Sequence, residues 1–144
     1  MTEINTDFHL QRFLDAQDPV YRQVLKELEA GRKQSHWMWF IFPQIAGLGL
    51  SATAQRYAIV SGAEAEAYLA HPVLGYRLLE CTRLMLAHAG QSAHQILGSP
   101  DDIKFRSCMT LFAEFSKKGS PFEQALHVFY GGQRDEKTIA LLSA

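Results

Sequence analysis

Apolar residues recur along this chain at the three- and four-residue spacing of helices, and most runs have a recognisable start or stop. Val20, Tyr21, Val24, Leu25 and Leu28 mark one face behind Asp18-Pro19, read as an N-cap with proline at the first helical position, and Gly31 supplies the stop. Over 72–89, Leu74, Leu78, Cys81, Met85 and His88 keep the period, widened by Val73, Leu79, Leu84 and Leu86, which predicts the central helix. Over 100–116, Phe105, Cys108, Met109, Phe112 and Phe115 fall together, while Lys104, Ser107, Thr110 and Glu114 gather on the opposite, polar side. Shorter helices are expected over 8–17 and 51–60. Start signals accompany these runs: Ser61 with Glu64, Ser92 with Gln95, Ser99 with Asp102, Ser120 with Glu123, and Asp135 before a last helix through Leu142. No pair of strands joined by hairpin-type residues appears, and neither does a glycine-rich phosphate loop, an internal repeat or a linker. The expectation is an all-α fold, a single domain over 1–144 of about eight short helices around a central one.

Composition adds little chemistry but removes several classes. Of the 144 residues, 47% are hydrophobic and 20% charged, an ordinary balance for a folded chain, which argues against disorder. A formal net charge of -1 provides no general attraction to nucleic acid or to an anionic membrane. The start of the chain, 1–7, lacks the apolar stretch of a signal peptide, and the apolar run 37–42 is too short to span a bilayer. Two cysteines on apolar helical faces, Cys81 and Cys108, lean toward a reducing compartment, so a cytoplasmic location is expected.

The most unusual stretch is 32–44, in which Arg32 and Lys33 lead into a cluster holding both tryptophans, Trp37 and Trp39. One reading is structural: Ser35 caps a single helical turn and the aromatic rings fill the core until Pro43. The other is a pocket for a flat anion, with Lys33, Ser35, Trp37, Trp39, Phe42 and Gln44 as binding residues and His36 as the group that moves protons, since imidazole ordinarily titrates near neutrality. Lys104 is the second candidate, with Ser107 and Thr110 completing a polar stripe that faces a cleft. Asp102 is the carboxylate nearest in sequence for steadying an oxocarbenium ion. The six histidines are scattered without metal-ligand spacing, so neither a metal nor a cofactor is expected. Glu123 and His127, four apart, read as a surface pair, and buried Cys108 makes a poor nucleophile.

The residues resemble a known family at five places. These are Gln11-Arg12-Phe13 with Ala16-Gln17, the stretch from Gly31 to Gln44 containing S-H-W-M-W-F-I-F-P-Q, and Tyr68 to Gly75. Gly98-Ser99-Pro100-Asp101-Asp102 with Lys104 and Met109 to Phe112 is the fourth, and Phe129-Tyr130-Gly131-Gly132 with Asp135 and Thr138 the fifth. The chain is similar to the bacterial "domain of unknown function 1810" proteins, often labelled calpastatin, and the resemblance implies an all-α fold. Calpastatin itself is a disordered repeat protein, which this helix-capped chain does not resemble. A more distant likeness, to YbiA-type domains that handle NAD and ADP-ribose derivatives, implies by position alone a role for 35–44 and for Lys104.

Two functions stay open on this basis. The first is a pocket that binds, or as an N-glycosidic hydrolase cleaves, a small nucleotide-derived ligand such as an ADP-ribose conjugate, with His36 and Lys104 as catalytic candidates. The second is a non-enzymatic module that offers an aromatic patch to a protein partner. The first requires His36 and Lys104 to border one concavity.

Overall fold

The computed structural model describes residues 8–144. Among them the chain forms α1 (Gln11–Gln17), α2 (Tyr21–Glu29), α3 (Met38–Ile41), α4 (Ala52–Arg56) and α5 (Gly62–Ala70). There follow α6 (Leu74–Leu86), α7 (Ala93–Leu97), α8 (Asp101–Ala113), α9 (Pro121–Tyr130) and α10 (Glu136–Ser143). The fold is all-α. The one β-type feature among the described residues is an isolated parallel bridge between Ile45 and Ile59. No helix among them is long and apolar enough to cross a membrane.

Local chemistry explains most helix starts. The hydroxyls of Ser61, Ser92 and Ser120 accept the backbone N–H groups of Glu64, Gln95 and Glu123, and the Asp135 carboxylate accepts that of Thr138. Three expected boundaries are corrected. Asp18 has helical dihedrals and closes α1, donating its N–H to Leu14, so it cannot take the extended N-cap conformation for α2. Its carboxylate pairs with Arg77 instead, at 2.8 Å. Ser99 does not cap α8, because the N–H it would have accepted, that of Asp102, donates to the Gly98 carbonyl. Pro72 lies ahead of α6, which begins once the His71 ring has accepted the N–H groups of Val73 and Leu74.

The expected central helix, α6, shares the middle of the molecule with α8. Helix α6 packs against α2, α3, α5 and α9, while α8 packs against α5, α7, α9 and α10. From Ser107 to Ala113 every residue of α8 is buried, so Ser107 and Thr110, in the middle of its expected polar side, do not face solvent. Thr110 donates to the Arg106 carbonyl and accepts the Asp135 N–H, and Ser107 donates to the Asp135 carboxylate, which docks α10 on this face. Aromatic rings tie the layers together: Phe42 meets Phe105 edge-on at 4.8 Å and Phe13 meets Tyr68 at 5.1 Å. Arg12 joins α1 to α5 through Glu64, 3.0 Å away.

Gly75 marks where α6 approaches α5 most closely, since a Cβ there would lie 2.2 Å from the Leu69 carbonyl oxygen. Gly75→Ala is therefore expected to destabilise the fold by roughly 1–3 kcal/mol, overriding alanine's better helix propensity. Gly90→Ala, where nothing lies within 4 Å of the added methyl, is the control and should be near neutral in the same denaturant titration.

Candidate functional site

The geometry of 33–39 is set by a carboxylate that the sequence reading did not single out. The chain leaves α2 at Gly31, whose positive φ lets it turn sharply and fold back over the helix end. This brings the N–H groups of Gln34 and Ser35, the Ser35 hydroxyl and the Trp37 indole N–H onto the buried Glu27, at 2.6–3.0 Å. Gln23 adds a fifth donor. Burial alone would push the Glu27 pKa up. The hydrogen bonds from Ser35, Gln34 and Gln23 outweigh burial and hold it down at about 2. A signal for it did exist: Glu27 falls seven after Val20 and three after Val24, on the apolar stripe of α2, where a carboxylate needs partners.

Because its folded pKa lies below the ordinary 4.5, Glu27 stabilises the fold fully above pH 4.5 and loses that contribution as pH falls toward 2. The loss should be on the order of 3 kcal/mol. Denaturant titrations between pH 6 and pH 2.5 should show an acid-side decline that Glu27→Gln largely removes.

Several expected binding residues are corrected by this arrangement. Trp37 is buried with its indole N–H on Glu27, so no base can stack on it. Phe42 is fully buried against Phe105. Ser35 neither caps α3 nor faces a ligand: Trp37 holds the N-cap position, and the Ser35 hydroxyl is bonded to Glu27.

His36 and Trp39 lie on the other side of the same segment. Together with Lys33, Met38, Ser99, Pro100, Asp101 and Lys104 they line a cleft of about 280 Å³ between 33–39 and the start of α8. The segment is pinned beside this helix start by the Lys33 N–H, which donates to the Ile96 carbonyl at 2.7 Å. The Lys33 ammonium is held by the Ser35 carbonyl at 2.6 Å, by Asp101 at 2.9 Å and over the Trp37 ring at 5.0 Å. Lys104 is freer. Its ammonium stands 3.9 Å from the other Asp101 oxygen and 4.9 Å from the Trp39 ring centre, and its side chain is 25% exposed. Two lysines against one carboxylate leave the cleft positive. His36, at the rim, is exposed.

Gln44 and Ser107 line a second concavity of about 510 Å³, which also takes in Leu48, Ile103, Arg106 and the start of α10. Thr110 lies inside the core and lines neither. Asp102 is corrected in favour of its neighbour: one of its oxygens accepts the Ile103 N–H and the other sits 3.5 Å from His94, while Asp101 faces the cleft. Glu123 pairs with Arg134 rather than His127. Burial pushes the Cys81 thiol up to about 12 and that of Cys108 well above its ordinary range, so neither is a ready nucleophile. Among the described residues, no three His, Cys, Asp or Glu side chains gather in a metal-binding group.

The family model described as "Protein of unknown function (DUF1810)" matches residues 7–142. The chain belongs to this family. It is also similar to the crystal structure of the conserved hypothetical protein Rv1873 from Mycobacterium tuberculosis, at 52% identity and a TM-score of 0.93. That likeness covers 95% of this chain and 98% of the other. No curated protein matches. Neither match bears the calpastatin label or the name of a YbiA-type domain.

Proposed function

We propose that this DUF1810 chain binds a small anionic, ring-bearing ligand of the nucleotide-derived class in the cleft beside α8. One observation supports this above the others. Lys104, whose nearest carboxylate oxygen is the 3.9 Å contact with Asp101, stands over Trp39 in a concavity that His36 also borders. A cation with donors to spare suits a phosphate oxygen, and the Trp39 indole supplies a flat apolar wall. Lys33 and Asp101 brace each other and shape the floor.

Binding is better supported than N-glycosidic hydrolysis. A carboxylate that steadies an oxocarbenium ion must be free to approach the sugar, whereas the carboxylate facing the cleft, Asp101, is already paired with Lys33 at 2.9 Å. The alternative, an aromatic patch for a protein partner, loses its main support because Trp37 is inside the core and Trp39 is half-buried beneath Lys104.

The test is a thermal-shift titration with AMP and ADP-ribose. At about one hundred times its dissociation constant, a native-state ligand adds about 2.7 kcal/mol, or roughly 5–10 °C in a domain of this size. Lys104→Ala should melt within about 2 °C of the parent chain, as expected of a partly exposed lysine, yet lose the ligand-induced rise. Absence of any rise with the parent chain would contradict the proposal.

A further inference from the structure

The cleft and the larger concavity share a wall, since Lys104 and Pro100 line both. We infer that the ligand has two arms: a phosphate-type anion at Lys104, with a ring-bearing group extending into the space on each side. This is the chemistry of a diphosphate or phosphodiester that joins two such groups, and it rests on the cleft being an anion site.

The placement of charge carries the inference. Within the cleft, Lys33 is already held by Asp101 and the Ser35 carbonyl. Within the larger concavity, Arg106 directs its guanidinium to the carbonyls of Gln133 and Arg134, at 3.0 and 2.9 Å. The Asp135 carboxylate there accepts from Thr138 and Ser107. Glu136 and Lys137 stand side by side on the exposed first turn of α10, opposite charges at the rim. Lys137 belongs to the exposed rim, and the cation that lines both spaces is Lys104, at the boundary and not at either far end. Apolar surfaces flank it on both sides, Trp39 in the cleft, Leu48 and Ile103 in the larger space. A ligand with its anion at one end would fill one concavity and leave the other open. A central anion uses both, and their volumes of about 280 and 510 Å³ lie in the range of small-molecule sites.

Calorimetry with ADP-ribose, AMP and ribose 5-phosphate tests this on the full chain. The two-armed ADP-ribose should bind roughly tenfold or more tightly than either half, because the second arm binds as an intramolecular event. Ile103→Glu is the diagnostic variant. Its side chain is 62% exposed, so the fold should tolerate the change, and the melting temperature checks that it does. It should weaken ADP-ribose and one of the two halves while leaving the other half unchanged. Equal affinity for all three ligands, or no effect of Ile103→Glu on any, would overturn the two-armed ligand and leave the cleft proposal standing. Failure of all three to bind the parent chain would remove both.

Discussion

Replacing Trp37 with alanine is expected to cost roughly 3–5 kcal/mol of folding free energy, through lost burial and the cavity left behind. Trp37 is 1% exposed, stacks beneath the Lys33 ammonium and lies 6.2 Å from the Phe42 ring. The substitution also takes a donor away from Glu27. In a domain of this size the loss corresponds to a fall of roughly 10–20 °C in melting temperature. Trp37→Phe separates the two contributions: it keeps a ring in the core, loses the indole N–H, and should cost about 1–2 kcal/mol. Trp39→Ala should be mild by comparison, about 1 kcal/mol, because that side chain is only partly buried. Equal losses at the two tryptophans, measured by denaturant unfolding, would contradict the assignment of one to the core and the other to the cleft.

Glu27→Gln is the second large effect. An amide keeps the shape of the carboxylate but offers one acceptor oxygen where five hydrogen bonds now converge, and its NH₂ group confronts the donors around it. Hydrogen bonds to a charged group contribute about 1.5–3 kcal/mol each, and buried donors left unpaired add their own penalty, so a loss of roughly 3–5 kcal/mol is expected. The change should also loosen 33–39, because Gln34, Ser35 and Trp37 lose their common anchor. A double-mutant cycle between Glu27→Gln and Trp37→Phe should show coupling of about 1 kcal/mol or more. Additive effects would mean that the indole–carboxylate hydrogen bond contributes nothing of its own.

What was legible in the sequence is what acts within four residues. Ser61, Ser92, Ser120 and Asp135 cap helices because each reaches an N–H three positions ahead, and that reach is written in the spacing. Asp18 and Ser99 fail as caps because neighbouring helices claim the backbone first: Asp18 closes α1 as its C-cap, and Gly98 at the end of α7 takes the Asp102 N–H. The pocket reading requires His36 and Lys104 to border one concavity, and both line the cleft that Trp39 also lines. Which tryptophan would face it was not legible. One residue, Met38, separates Trp37 from Trp39, and Trp37 precedes the first turn of α3, so helical periodicity does not decide its side. The anchor Glu27 decides it. The pairing of Lys33 with Asp101 spans nearly half the chain, and the burial of Ser107 and Thr110 depends on α10 docking across them, so neither leaves a local trace.

The two indole N–H groups provide the most direct measurement of the cleft's function. In a ¹H–¹⁵N spectrum each gives one signal, assignable through Trp37→Phe, and Trp37 serves as an internal reference because its N–H is bonded to Glu27 inside the core. Titration with ADP-ribose should shift the Trp39 indole signal saturably while that of Trp37 stays nearly still, and Lys104→Ala should abolish the shift. A spectrum in which both indole signals remain unmoved at millimolar ligand would contradict a ligand site beside α8.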